Sequence, residues 1–187
     1  MDAKRVLDLV LGIPIAVALS PVLAVVAGAV LVTSGRPVFL VQTRVGADER
    51  SFAVLKFRTM RRDAPTVAKS DLEPVADLYT PLGPFLRRWS LDELPQLINV
   101  LRGEMSLVGP RPALPTQDRL LALRRKHRVT ELKPGLTGLA QIEGRESLTT
   151  ATKVRFEAHY RRHRSIAYDS CIILRTARAI FARRGAY

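Results

Sequence analysis

The longest apolar stretch of the chain covers residues 9–32, which carry no charged side chain. As a helix these 24 residues would extend ~36 Å, more than the ~30 Å hydrocarbon core of a bilayer. The pattern therefore predicts a helix that enters a membrane.

Two prolines interrupt this stretch, Pro14 and Pro21, and the pair Ser20-Pro21 lies near its middle. Proline removes a backbone donor and clashes with the preceding turn, so it kinks a helix. The Ser20 hydroxyl can bond the carbonyl that this change frees. We therefore expect Ser20 and Pro21 to form a break in the membrane helix.

Positive charge flanks both ends of the stretch, with Lys4 and Arg5 before it and Arg36 after it. The positive-inside rule then gives no clear orientation, which favours a re-entrant helix that returns to the same face. A full span remains an alternative. So does a cleaved signal peptide, although the stretch is too long for a signal core and Asp8 stands at its start.

After the apolar stretch, the sequence predicts a β-hairpin, because residues 38–45 and 52–57 are rich in β-branched and aromatic side chains and residues 46–49 separate them. Lys56 and Arg58 share one face of the second strand, as two anion ligands would, although a solvated strand face explains them equally. Residues 61–80 read as a loop with one helical turn.

The C-terminal half predicts helices. Residues 114–129 form one, and residues 152–184 form one or two amphipathic helices rich in arginine. The latter either pack with an ordinary charged outer face or lie on anionic lipid, and we favour the lipid surface. Cys171 lies among isoleucine and leucine, so we expect it to be buried. The fold class predicted is α+β, mainly helical.

The charge composition indicates which classes of molecule the protein could bind. The net charge is +13, and the calculated pI is near 11.0. Such a chain suits nucleic acid, an anionic lipid surface or a phosphorylated substrate. No RNA-binding motif is present and Trp89 is the single tryptophan, so a membrane-tethered nucleic-acid-binding protein is disfavoured.

The candidate chemistry lies in residues 87–112, which hold the adjacent acids Asp92 and Glu93. Ser90 with Glu93 matches a capping box, so the acids could simply begin a helix. Alternatively, the helix dipole keeps Asp92 ionised at low pKa, where it could bind Mg²⁺ or attack phosphorus. Arg87 and Arg111 could then hold phosphate oxygens.

Two turns complete the candidate site. Residues 109–112, Gly-Pro-Arg-Pro, form an extended turn that should fix where Arg111 points. Residues 133–138 are also rich in turn residues, and we expect some of their backbone N–H groups to be free to face a ligand.

In these features the chain resembles the bacterial sugar transferase family, the monotopic phosphoglycosyl transferases. The resemblance covers nearly the whole chain and matches the small members without extra N-terminal spanning helices. The segments that carry it, in order, are KR with Asp8, SP (20–21), GRPVF (35–39), QTRVG (42–46), KFRTM (56–60), SLDELPQ (90–96), MSLVGPRP (105–112) and KPGLTGLAQIEGR (133–145).

The resemblance implies transfer of a sugar-1-phosphate from a nucleotide diphosphosugar, commonly UDP-linked, to a polyprenyl phosphate such as undecaprenyl phosphate. It makes Asp92 the nucleophile that forms a phosphosugar intermediate, with Glu93 helping to hold Mg²⁺. It also makes Arg145 a phosphate contact and Gln141 its neighbour. A non-catalytic membrane scaffold on the same fold is the alternative.

The resemblance also implies an architecture: residues 1–35 form a re-entrant membrane helix, and residues 36–187 form a catalytic domain on the cytoplasmic face of the inner membrane. It leaves a homo-oligomer open. One departure concerns residues 77–80, Asp-Leu-Tyr-Thr, where family members often carry a basic Asp-Pro-Arg-x-Thr stretch. This difference puts the identity of the donor sugar in question more than the chemistry.

Overall fold

The structure is a computed structural model that describes residues 2–64, 76–144 and 147–181. Within these ranges the chain is mainly helical, with two small two-stranded sheets, which confirms the predicted fold class. Its helices are α1 (Ala3–Ser34), α2 (Gly83–Arg88), α3 (Leu97–Arg102), α4 (Asp118–Lys126), α5 (Leu139–Glu143), α6 (Thr150–His163) and α7 (Ile166–Phe181); its strands are β1 (Phe39–Val45), β2 (Ser51–Phe57), β3 (Ser106–Val108) and β4 (Gly135–Thr137).

Helix α1 continues without interruption past both of its prolines. Pro21 has no N–H to donate to Val17, four residues earlier, and the Ser20 hydroxyl donates to that carbonyl at 2.8 Å instead. This is the bond expected of Ser20, but the helix is not interrupted at Ser20 and Pro21, so the break there stays a prediction. By length and composition α1 could cross a membrane, and only 11% of its most apolar window is buried.

Two opposite apolar stripes run along α1. One packs on the rest of the protein, where Leu11, Ile15 and Leu19 contact the main core and Val30 is fully buried. The other stripe faces outward, and its most exposed members are Val10, Val17, Val25 and Val32. Since these four side chains are apolar, water is a poor environment for this stripe.

Both ends of α1 attach to the same folded body. Near its start, the Asp8 carboxylate accepts hydrogen bonds from the Ser106 hydroxyl and the Leu107 N–H, each at 2.9 Å. Just past its end, the Arg58 guanidinium donates to the carbonyls of Ser34, Gly35 (2.8 Å) and Arg36 (3.0 Å). The helix therefore lies against the domain along its length.

The first sheet is the predicted β-hairpin, with β1 antiparallel to β2 and Phe39 opposite Phe57. The Asn99 side chain joins this hairpin to α3, because its oxygen accepts from the Leu55 N–H at 3.2 Å and its amide donates to the Ala53 carbonyl at 2.7 Å. These bonds hold β2 beside the segment that carries the two candidate acids.

The second sheet, a parallel pair of β3 and β4, was not predicted. It joins the two turn-rich segments, because the Gly109 N–H donates to the Thr137 carbonyl and the Gly135 N–H to the Pro110 carbonyl, both at 2.8 Å. A Cβ on Gly135 would lie 2.0 Å from the Gly109 nitrogen, so only glycine permits this approach.

The prediction that backbone N–H groups in residues 133–138 face a ligand is therefore wrong for Gly135. Its N–H belongs to the pairing of the two turns. The glycine in this segment could not distinguish a ligand site from a close approach of two backbones, because glycine is used for both.

Helix α7 packs against this sheet, and α6 reaches it through Tyr160, whose hydroxyl lies 3.3 Å from the Val108 carbonyl. The predicted amphipathic stretch forms α6 and α7, and Tyr160 and Ile172 from these helices are buried in the main core. Cys171 is exposed, so the expectation of a buried cysteine is wrong. The inward face of α7 instead carries Asp169 and Ile172, and Cys171 falls outside it.

Candidate functional site

The two acids lie in a 3₁₀ segment, Leu91–Gln96, rather than at the start of an α-helix. The residue before it, Ser90, has a φ of 55°, a left-handed conformation that turns the chain between α2 and the acids. Its side chain makes no capping hydrogen bond, and the Glu93 side chain bonds elsewhere. The predicted capping box is therefore wrong.

Glu93 is fixed by two cations. The Arg111 guanidinium donates to both of its carboxylate oxygens, at 2.6 and 3.2 Å, and the Lys56 ammonium lies 3.4 Å from one of them. Burial alone would raise the pKa of Glu93, but the charges and hydrogen bonds of Arg111 and Lys56 outweigh it and hold that pKa well below its usual range. Glu93 is thus an anchored carboxylate.

Asp92 is held differently. It is buried, and no described residue donates a hydrogen bond to its carboxylate. Burial, followed by the negative charge of Glu93, raises the pKa of Asp92 to about 6. The expectation that a helix dipole lowers this pKa is wrong, because Asp92 lies in a 3₁₀ segment rather than at the start of an α-helix and is itself buried.

Four cations surround the pair: Lys56, Arg44, Arg87 and Arg111. Burial lowers the pKa of Lys56, which marks an ammonium held out of water. Burial and the charge of Arg111 lower the pKa of Arg44 to about 10. Four positive charges beside two carboxylates leave a net positive site, which suits an anionic substrate.

Arg87 extends from α2 towards the site and is held by contacts with Thr59 and Tyr79. Its Nε donates to the Thr59 hydroxyl at 3.0 Å, and its guanidinium lies 5.0 Å from the centre of the Tyr79 ring. The positive charge of Arg87 acts on Asp92 in the direction opposite to burial. Tyr79 stands in the segment that departs from the family pattern.

The remaining predicted site residues lie elsewhere. Arg58 is buried, and its guanidinium donates to the carbonyls after α1 rather than to the site. The Gln141 amide lies at the junction of the two turns, with its oxygen 2.5 Å from where a Cβ of Gly138 would stand. Arg145 is outside the described residues, so its role stays a prediction.

Sequence reasoning missed two supporting arginines. Arg44 was present in the segment QTRVG but was treated only as part of a resemblance. Arg124 was one member of a basic run at the end of α4, yet the structure buries it against Glu157. Its position in α4 could have indicated this burial. Arg124 lies three residues after the buried Leu121 and four after the buried Leu120, which places it on the same face of the helix.

The donor set is compatible with Mg²⁺. Among the described residues no cluster of three or more metal-ligating side chains occurs. Magnesium, however, commonly takes one or two carboxylates and fills its other positions with water and substrate phosphate oxygens. The mutual repulsion of Asp92 and Glu93, visible in the raised pKa of Asp92, is what a divalent cation would relieve.

A carboxylate pair inside a cationic site suits an anionic substrate such as a phosphate. The family model for the bacterial sugar transferases matches residues 1–183. The chain belongs to that family and is a sugar-phosphate transferase.

Individual relatives agree with the family. The chain is 36% identical over 200 residues to the exopolysaccharide production protein ExoY of Sinorhizobium fredii, covering 99% of this chain and 88% of that protein. It is 38% identical to a UDP-glucose:undecaprenyl-phosphate glucose-1-phosphate transferase of Caulobacter vibrioides, covering 98% and 72%. A transferase of the same name from Escherichia coli is 39% identical, covering 98% of this chain and 41% of that protein.

The electrostatics of the acid pair can be tested directly. Glu93→Gln removes the negative charge that helps to raise the pKa of Asp92 and leaves Arg111 and Lys56 nearby, so that pKa should fall from about 6 towards the ordinary aspartate value. The measurement is an NMR titration of the Asp92 carboxyl carbon in metal-free protein. Glu49→Gln, outside the site, should leave it unchanged; an unchanged value in Glu93→Gln would contradict the description.

Proposed function

We propose that this protein transfers a sugar-1-phosphate from a UDP-linked sugar to a polyprenyl phosphate, undecaprenyl phosphate being the expected acceptor. The observation that carries the proposal is the asymmetry of the acid pair, because Glu93 is anchored by Arg111 and Lys56 whereas Asp92 is left without a bonding partner among the described residues. The names of the relatives from Escherichia coli and Caulobacter vibrioides support the substrate classes.

The reaction proceeds in two displacements at one phosphorus atom. A carboxylate oxygen of Asp92 attacks the sugar-bearing phosphorus of the donor, the bond to the bridging oxygen breaks, and UMP leaves with that oxygen. An oxygen of the lipid phosphate then attacks the same phosphorus, and the bond to Asp92 breaks. The products are the lipid-linked diphosphosugar and the free carboxylate, so atoms and charge balance.

The surrounding groups serve this chemistry by position and charge. The raised pKa of Asp92 makes its carboxylate a better nucleophile than an ordinary aspartate, and above pH 6 it is largely ionised. Arg87 and Arg111 are placed to stabilise negative charge on the transferring phosphoryl group. Asp92 and Glu93 would hold Mg²⁺, which neutralises charge on the donor diphosphate when bound.

The attachment of both ends of α1 to one folded body supports a monotopic arrangement, in which the helix enters the membrane without crossing to the other face. Both of its ends bond to the same folded body, through Asp8 at the start and through Arg58 at the end. A domain that contacts the helix along its length cannot lie in water while that helix crosses a bilayer. The outward stripe with Val17 and Val25 would face lipid, with the site on the cytoplasmic side of the inner membrane.

The arginine-rich helices α6 and α7 extend this membrane surface. Arg164 and the exposed Ile166 lie at their junction, and α7 also exposes Leu174. Arginines at headgroup depth beside inserted aliphatic side chains are typical of binding to anionic lipid. The acceptor phosphate would then reach Asp92 from the same surface.

The activity is tested with purified protein, Mg²⁺, undecaprenyl phosphate and a panel of UDP-sugars, with release of UMP as the readout. At least one donor should yield UMP and a lipid-linked product. Asp92→Asn should lower turnover by at least about 10³-fold without loss of folding, because the nucleophile is removed. Asp118→Asn, on an exposed position of α4, is the matched control and should be fully active.

Two outcomes would contradict the proposal. If no UDP-sugar releases UMP, the protein is better explained as a non-catalytic membrane-tethered binding protein. If Asp92→Asn keeps wild-type turnover with the accepted donor, Asp92 is not the nucleophile.

The topology is tested by thiol labelling in intact cells. In a Cys171→Ser background, single cysteines are introduced by Asp2→Cys and Ser34→Cys, at the two ends of α1. Both cysteines should resist a membrane-impermeant reagent in intact cells. Both should react once the inner membrane is permeabilised. Labelling of one of them alone from the outside would show a span instead.

A further inference from the structure

The turn that carries Arg111 has its main chain held on several sides. Four consecutive carbonyls accept hydrogen bonds: Pro110 from the Gly135 N–H at 2.8 Å, Arg111 from the Arg124 guanidinium at 2.9 Å, Pro112 from the Arg44 guanidinium at 3.1 Å and Ala113 from the Val45 N–H at 2.9 Å. Turns at protein surfaces commonly leave such carbonyls to water. Here the protein itself supplies every donor.

Arg124 reaches the turn from behind. Only 5% of its surface is exposed, and its Nε and Nη2 donate to the two carboxylate oxygens of Glu157 at 2.8 and 2.6 Å. Glu157, on α6, is itself 2% exposed. The same Nη2 atom donates to the Arg111 carbonyl, so the ion pair orients a donor that holds this peptide unit.

A buried ion pair of this kind is weak evidence for stability. Removing two charges from water costs about as much free energy as their attraction returns, and apolar side chains of similar size often serve stability as well. A role in orientation explains the pair better, because the planar guanidinium can bind a carboxylate with one edge and still donate to a carbonyl.

We propose that Arg124, oriented by Glu157, is a positioning residue for Arg111. It holds the peptide unit of Arg111 so that the Arg111 side chain meets both oxygens of Glu93. The Arg111 side chain is 42% exposed, so a fixed main chain helps to direct it towards Glu93. Arg124 contacts neither acid and acts only through the turn.

Arg44 holds the opposite side of the same turn and is a less informative residue to change. Its guanidinium is oriented by the Gln42 side chain at 2.5 and 3.1 Å, but its charge also acts on Lys56. Replacing Arg44 would therefore alter the charge of the site as well as the turn. Replacing Arg124 by lysine alters the support of the turn and keeps the positive charge.

The inference rests on the proposed function for its kinetic readout, and the design is a double-mutant cycle. Arg124→Lys keeps a positive charge beside Glu157 but lacks the planar fork that binds both carboxylate oxygens and the Arg111 carbonyl in one fixed geometry. It should lower kcat about 10- to 100-fold with the accepted UDP-sugar, because displacement of a catalytic group by about 1 Å has such effects. In an Arg111→Ala background, the same change should lower kcat less than about twofold.

Two variants serve as checks. Glu157→Gln removes the charge that orients Arg124 and should show the same non-additivity with Arg111→Ala; it also carries the test if Arg124→Lys does not fold. Arg125→Lys is the matched control, since Arg125 is the next residue on α4 but is exposed and pairs with Glu49. It should leave kcat unchanged.

A readout independent of turnover is the ¹⁵N NMR signal of the Arg111 guanidinium. Two hydrogen bonds to Glu93 restrict rotation of this group, so its two Nη nitrogens should give separate signals in the wild type. Arg124→Lys should merge them, and Arg125→Lys should not. This measurement also works in a wild type that releases no UMP, which would contradict the proposed function but not the positioning.

Equal kcat losses from Arg124→Lys in the wild-type and Arg111→Ala backgrounds would overturn the inference, because they would show a role that does not pass through Arg111. A variant with wild-type kcat and two unmerged Arg111 signals would overturn it as well.

Discussion

The hydrogen-bonded ion pair between Arg111 and Glu93 is the interaction on which the rest of the site depends. It joins the turn of residues 109–112 to the 3₁₀ segment Leu91–Gln96, two parts of the chain with no main-chain pairing. It also keeps Glu93 ionised, and the charge of Glu93 adds to burial in raising the pKa of Asp92, whereas the charge of Arg111 acts in the opposite direction. One contact thus sets the geometry and the electrostatics together.

The fold serves to hold both partners of this pair. The hairpin supplies Lys56 beside Glu93, and the pairing of β3 with β4 delivers the turn that carries Arg111. Helix α1 bonds to β3 through Asp8, so the membrane element attaches directly to the strand that leads into this turn. Placement at the membrane and assembly of the site therefore use the same short strand.

Much of this could be predicted from sequence. The apolar stretch predicted α1, and β-branched residues on both sides of residues 46–49 predicted the hairpin. The pattern of residues 87–112 pointed to Asp92, Glu93 and Arg111, and the resemblance added their roles. The sheet of β3 and β4 could not be predicted, because three-residue strands carry no periodicity. The environment of Asp92 was missed for a similar reason: a capping-box pattern is local, whereas burial and the competition of Arg111 for Glu93 are tertiary effects.

The central claim is that Asp92 becomes covalently attached to the phosphosugar. The most direct test is to mix the protein with Mg²⁺ and its accepted UDP-sugar in the absence of acceptor lipid, quench rapidly, and analyse the peptide that contains Asp92 by mass spectrometry. We expect the added mass of one sugar-phosphate on Asp92, and we expect this mass to be lost when undecaprenyl phosphate is added before the quench. UMP release that requires the lipid, with no adduct on Asp92 at any time, would contradict it.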